Sequence, residues 1–306
     1  MQYVTVSYFS LKISELKYTK IIEQLNSITL ISALIVSLFF AFSCTSTRQF
    51  NSQEQTTPIV VDGNLSDWSR TDFDTSNNQD FDVAVSNDEE FVYIAINFRN
   101  NRTYAMARDF GFRIYLDSDR RFRRSFGIVF PAGIVTGLAD FPGARKSYLE
   151  NPGWRNLPEN AAILQSVENE MGTRVQVIRR VDSGSSVRPS FVSKDQLRAN
   201  EITMGLDQSG RTMSLELKVP IRSGMGRDFG IDPDGDRFYL GFEIEPPDYQ
   251  EVTGESPRFE SIDEVDNQDP YRRRPRSGQQ IQVDNPQLYN LLNFRYQHWV
   301  QVRLNK

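Results

Sequence analysis

The chain of 306 residues is poor in three things. It has one cysteine, one histidine and no excess of positive charge: 35 Lys and Arg stand against 40 Asp and Glu, a net charge of −5. One cysteine excludes an intramolecular disulfide framework. One histidine excludes histidine-rich zinc sites. With no Gly-x-Ser-x-Gly stretch, a Ser-His-Asp or Cys-His centre has nothing to build on. Mild acidity argues against a general nucleic-acid binder, which carries a basic face. The one local basic run, Arg272-Arg273-Arg274-Pro275-Arg276, follows an acidic stretch and reads as a solvated loop. Carboxylates are plentiful, but nothing in the sequence nominates a pair for glycoside hydrolysis. The expectation is a protein that binds rather than catalyses.

What is present is a globular composition, 39% hydrophobic and 25% charged. The lone cysteine is informative by its place. Ile28 to Cys44 contains no charge, and its apolar part is about 15 residues long. A signal-peptide core takes roughly 7–15 residues and a spanning helix about 20, so this length predicts an export signal. Ala41-Phe42-Ser43-Cys44 resembles a bacterial lipobox, in which the cysteine is lipidated and becomes the new N-terminus. The predicted organisation is a leader and signal peptide over 1–43, a lipidated Cys44 opening a polar, flexible tether over 44–57, and one domain over 58–306. The protein would be exported and lipid-anchored to a bacterial membrane, on its periplasmic side or at the cell surface. An uncleaved anchor is the alternative, and the mixture of Lys12, Lys17 and Lys20 with Glu15 and Glu23 makes the leader unusual.

From Pro58 onward the dominant period is two. The stretches 81–86 and 91–98 flank Asn87-Asp88-Glu89-Glu90 as a hairpin. Further strands are predicted at 110–117, 173–180, 212–221, 238–245 and 294–304. In each, apolar residues alternate with polar ones, as when Leu215, Leu217 and Val219 oppose Ser214, Glu216 and Lys218. One buried and one wet face per strand is the pattern of antiparallel sheets. Short helices are predicted at 193–200 and at 284–292, where Asn285 is placed to cap and Pro286 to occupy the first turn. Long loops are expected at 140–160 and 248–283. The fold class is therefore all-β: an antiparallel β-sandwich of two sheets, immunoglobulin- or jelly-roll-like, with few short helices.

Four stretches occur in one order: Val61-Asp62-Gly63-Asn64-Leu65-Ser66-Asp67-Trp68, then 83–100, then 112–119, then 213–221 ending in Pro220-Ile221. Together they resemble the family 9 carbohydrate-binding modules and their DOMON-like relatives over roughly 58–247, with 289–304 completing the match. The resemblance implies a sandwich in which Asp62 and Gly63 make a turn and Trp68 is a structural cap on the core. It implies binding of a polysaccharide or oligosaccharide, and, through the DOMON-like branch, a haem or redox module as an alternative. There His298 with Met204, Met213 or Met225 would hold haem between the sheets. Docking onto another envelope protein is a further alternative.

Sugar recognition needs a flat apolar face for the C–H surface of a pyranose and polar groups for its hydroxyls. The candidates are Trp154, with Tyr148 and Arg155 in the same loop, and Trp299 on the polar face of the last strand. For Trp299, packing beneath the 248–283 segment is the competing expectation. His298, on the apolar face of that strand, reads as a core histidine. Asp232, Asp234 and Asp236, in Asp-Pro-Asp-Gly-Asp, have the look of a calcium loop without its bidentate glutamate, and Asp117 with Asp119 is a second oxygen-rich pair. Turn formation is the competing reading of both.

Overall fold

The computed structural model describes residues 49–305 except 56, 75–79, 119–122, 180–189, 209–212, 225 and 263–277; for 172, 258–262 and 278–282 it describes the backbone alone. Cys44, Asp119, Met225 and the basic run lie outside the described residues. The chain opens with two short strands, β1 (Gln49–Asn51) and β2 (Gln53–Glu54). The hairpin β3 (Phe81–Asn87) and β4 (Phe91–Phe98) follows, then helix α1 (Asn101–Phe110) and strands β5 (Arg113–Asp117) and β6 (Phe126–Val129). A helical section contains α2 (Ile134–Gly137), α3 (Ala144–Glu150) and α4 (Pro158–Thr173). Next come β7 (Arg174–Arg179), β8 (Ser190–Ser193), α5 (Lys194–Ala199), β9 (Thr203–Asp207), β10 (Ser214–Pro220) and β11 (Arg237–Ile244). Helix α6 (Tyr249–Thr253), the hairpin β12 (Arg258–Ile262) with β13 (Gly278–Gln282), helix α7 (Pro286–Leu292) and β14 (Tyr296–Arg303) follow.

Two main sheets result. One has seven strands in the order β1-β14-β11-β5-β6-β7-β8, the other five in the order β2-β3-β4-β10-β9. Their inner faces meet in one core, where the period-two pattern puts Phe81, Ile94, Ile96, Leu215 and Leu217 of one sheet against Ile114, Leu116, Leu240 and Phe242 of the other. Phe81 is its hub, with ring centroids 5.1 Å from Phe242, 5.6 Å from Phe98 and 5.7 Å from Phe112. Truncating any one of these fully buried rings to Ala would cost about 3–5 kcal/mol.

The two-sheet architecture follows the sequence; the all-β and wholly antiparallel expectations do not. Helices are a substantial part of the fold, and both sheets carry a parallel strand at one edge. At those edges β1 pairs with β14 and β2 with β3, both parallel, so one six-residue strap crosses from sheet to sheet. Ser52, at the crossing, bonds Asn87, and the Asn305 amide donates to both Ser52 Oγ (2.9 Å) and Asn87 Oδ1 (3.0 Å). Within the expected tether, Gln49–Asn51 and Gln53–Glu54 are thus strand. Phe50 packs against the core and Ser52 is buried, while the other side chains are polar and exposed, and a two- or three-residue strand shows no period. The expected 140–160 loop is mostly helix: Gly143 at φ +75° precedes α3 and Pro158 opens α4. The 248–283 segment contains α6 and the β12–β13 hairpin. Helix α7 begins as expected, with Asn285 Oδ1 accepting from the Leu288 amide (3.0 Å) and Pro286 in its first turn. No helix among the described residues is long and apolar enough to cross a membrane.

Candidate functional site

The outer face of the five-stranded sheet is closed by the chain itself. Residues Ala84, Ala95, Glu216 and Gly205 stand side by side across β3, β4, β10 and β9. Three small residues in that row leave room for the 59–73 segment to lie flat. A Cβ on Gly205 would stand 2.1 Å from the Gly63 nitrogen, so only glycine admits this approach. Gly63 itself sits at φ +96°. Trp68 is 7% exposed and packs with Ala84, Tyr93 and Ala95. It covers the outside of a sheet and not the end of the core. Glu216 is fully buried beneath it. Its carboxylate accepts from Trp68 Nε1 (2.7 Å) and from the amides of Gly63 (2.8 Å) and Asp62 (3.0 Å). Burial raises its pKa, and the three hydrogen bonds oppose that shift. Strict alternation assigns Glu216 to a wet face; that an acid falls between two leucines in step with Ala84, Ala95 and Gly205 was the available signal that this face is covered.

Trp154, Tyr148 and Arg155 are brought together, but as interior. Trp154 and Tyr148 are each 6% exposed and meet edge to face at 5.6 Å. The Arg155 guanidinium lies 4.6 Å from the centre of the Tyr148 ring and pairs with Asp109, which also accepts from the Tyr148 hydroxyl (2.9 Å). A stacking platform needs an open ring face, and neither ring has one here. The reason is the helical section: once 140–160 folds into α3 and a short turn before α4, its aromatics become that layer's core.

Trp299 is half-buried on the outer face of the seven-stranded sheet. Across β14, β11, β5, β6 and β7 the row reads Trp299, Gly241, Tyr115, Gly127, Ile178. Each glycine lies under a ring: a Cβ on Gly241 would come within 2.6 Å of the Trp299 indole, and one on Gly127 within 2.7 Å of Tyr115. The two rings lie nearly parallel, their centroids 5.8 Å apart and their planes 16° from one another. Trp299 therefore rests on Gly241 and beside Tyr115.

The calcium loop does not form. Asp232 accepts from the Ser223 amide (2.9 Å) and hydroxyl (2.6 Å), Asp236 pairs with Arg303 (2.8 Å), and the Asp234 backbone makes the turn to Arg237. Two carboxylates with separate partners and the Asp234 backbone hold turns, and no group of three metal-ligating side chains converges among the described residues. Asp117 likewise accepts from the amides of Arg124 (2.7 Å) and Ser125 (2.8 Å), shaping its own loop. His298 faces the core, 6.4 Å from the Phe81 ring. Met204 lies on β9, an edge strand of the other sheet. Met213 is buried in the core.

One cleft of about 640 Å³ opens where β5, β7 and β8 meet α2, α4 and the 245–251 segment. Its size falls in the usual range for a small-ligand site. The outer-face row one step from Trp299 leads into it, through Arg113, Val129, Gln176 and Phe191. Phe191, 46% exposed, is one of three large apolar side chains left open among the described residues, and it lines this cleft. The Arg174 guanidinium lies 5.5 Å from its ring centre. Around it, Arg113 pairs with Glu245 (3.5 Å), Arg145 with Glu251 (3.0 Å) and Arg174 with Glu170. An open ring, an amide and several fixed donor–acceptor pairs can bind a molecule with an apolar face and a hydroxylated rim. Sequence reasoning missed Phe191 because β8 follows a long polar stretch and is only four residues, too short for a period.

The class these features define is a two-sheet, sandwich-like domain with a helical section and a cleft of mixed polar and apolar lining. No protein-family model, curated protein or solved structure matches the chain.

Proposed function

We propose that the protein is a non-catalytic carbohydrate-binding lipoprotein of the bacterial cell envelope, and that its domain is a family 9 carbohydrate-binding-module-like or DOMON-like sandwich, immunoglobulin- or jelly-roll-like in its details. The observation that carries the reading is the exposed Phe191 ring in a cleft walled by arginine–carboxylate pairs. A pyranose offers a flat C–H face to such a ring and pairs of hydroxyls to such walls. The lipid anchor rests on the 28–44 segment. Cys44 and Gln49 are five residues apart in the sequence.

Two experiments test this. The full chain, extracted in detergent, is applied to a glycan array; the expected result is selective binding to a small set of glycans, and a blank array turns the reading toward docking on an envelope protein. Separately, Cys44→Ser is expected to leave the membrane fraction and to lose its acyl mobility shift, because several acyl chains anchor stably at about 0.8 kcal/mol per buried methylene. A variant that stays membrane-bound with unchanged mobility speaks for an uncleaved anchor.

A further inference from the structure

A second, smaller pocket opens where the two sheets end. Strand β8 is the edge of one sheet and β9 the edge of the other, and α5 lies between them in the chain. The pocket has a volume of about 80 Å³. Holding one water takes roughly 10–15 Å³ and a drug-sized ligand roughly 300–1,000 Å³, so the space suits one small polyatomic ion. No residue lines both this pocket and the larger cleft, and the inference stands apart from the carbohydrate-binding reading.

The charged groups of the pocket are of one sign. Ser193 caps α5 with its side chain, which fixes Lys194 in the first turn. Residues three and four apart share a helix face, so the buried Leu197 draws Lys194 and Arg198 toward the pocket with it. There Thr203 of β9 adds a hydroxyl, and Val61 and Ile202 add apolar walls. Lys194 is half-buried, with Nζ 4.8 Å from the centre of the Phe130 ring, itself 1% exposed. No carboxylate pairs with Lys194 among the described residues; Asp195, its neighbour in sequence, pairs with Arg198 (3.0 Å). Among those residues, burial pulls two cations below their ordinary values. Arg155 has Asp109 for a partner, whereas Lys194 has beside it Arg198, whose charge pulls it down further. A cation taken out of water without a counter-charge is costly, and no acid lines this pocket to supply one.

We propose that the pocket binds one small tetrahedral oxyanion, inorganic phosphate or the phosphate of a monoester, with Lys194 as its charged anchor and Arg198 and Thr203 as further donors. No bond is made or broken; the ion is held by charge-assisted hydrogen bonds, the ammonium acting as a point charge and the guanidinium as a fork.

The test is calorimetric titration of the full chain in detergent, at constant ionic strength, with inorganic phosphate, glycerol 3-phosphate and acetate. The expected result is saturable one-site binding of phosphate, with acetate at least about tenfold weaker. Lys194→Gln should weaken phosphate by about tenfold or more, the worth of one hydrogen bond to a charged group, and Lys194→Arg should restore most of that loss. Should Lys194→Gln fail to fold, Lys194→Met gives the same reading, since its apolar stem stays over Phe130. Glycerol 3-phosphate binding tighter than phosphate assigns the site to an ester, and weaker binding assigns it to the free ion. Absence of saturable binding to either phosphate, or wild-type affinity in Lys194→Gln or Lys194→Met, would overturn the proposal. Acetate binding as tightly as phosphate would overturn the assignment to a tetrahedral oxyanion.

Discussion

The two outer faces of the sandwich solve one problem in opposite ways. Each sheet has a row of small residues on its outside, Ala84-Ala95-Gly205 on one and Gly241-Gly127 on the other, and each row lets a large aromatic lie flat. On the five-stranded sheet the chain brings its own cover. Trp68 arrives on the 59–73 segment, and a buried carboxylate fastens both ring and backbone. On the seven-stranded sheet the rings, Trp299 and Tyr115, come from the strands themselves, and the face runs on into an open cleft. A small-residue row thus says that something lies over the sheet, without saying whether it is the chain or a ligand. The distinction lies in the polar groups. Glu216 is satisfied by three internal donors, whereas the acids of the cleft face solvent.

If the first face is a closed structural seal, its removal should cost the most. Glu216→Ala leaves the Trp68 indole and two backbone amides without their acceptor in a buried setting, and is expected to destabilise by about 3–5 kcal/mol in denaturant unfolding. A loss below about 1 kcal/mol would mean that water reaches these groups and that the face is not sealed. The same residue makes a signed pH prediction. A glutamate whose pKa is raised on folding binds its proton more readily in the native state than in the unfolded chain. Wild-type stability should therefore decline as pH rises from the ordinary glutamate value of 4.5 to the raised folded one. That decline should be missing from Glu216→Gln and so appear in the difference between the two curves, and a rise of that difference over the same window would contradict the account.

The second face should be less costly to disturb. A methyl on Gly241 pushes the Trp299 ring off the sheet, so Gly241→Ala is expected to cost about 1–3 kcal/mol, the range for overpacking. The double variant Gly241→Ala with Trp299→Ala should recover much of that loss, since the clash goes with the ring. Additive losses would show that the two are not in contact.

Most of the strands could be read from alternation, because a sheet with one buried face imposes a period of two. The runs at 81–86, 91–98, 212–221 and 238–245 all became strands within a residue or two of their expected bounds. The helical section could not. Residues 140–160 contain prolines and glycines that mark turns, and the helices between those turns are too short to show an apolar stripe of their own. Trp154 was singled out because no strand claimed it, and that reasoning fails wherever a third layer exists to bury what the strands do not. Phe191 was invisible for the converse reason. Two adjacent apolar residues, Phe191 and Val192, in a four-residue edge strand carry no period, and only the assembled sheet shows that Phe191 faces a cleft. Glu216 shows a further limit: the side of a strand is readable from alternation, but which sides end up covered depends on what the rest of the chain lays across them.

The central claim is that the ligand meets Phe191 in the cleft. The direct measurement is calorimetric titration of Phe191→Ala and Trp154→Ala against the glycan that the array returns, with melting curves on both. Phe191→Ala should lose at least about tenfold in affinity, within the roughly 1–3 kcal/mol of a stacking contact, while its stability stays within about 0.5 kcal/mol of wild type, as for an exposed side chain. Trp154→Ala should lose about 3–5 kcal/mol of stability as a buried aromatic, with its folded fraction binding at wild-type affinity. Wild-type affinity in Phe191→Ala, or lost affinity at unchanged stability in Trp154→Ala, would contradict the account and return the site to the 140–160 segment.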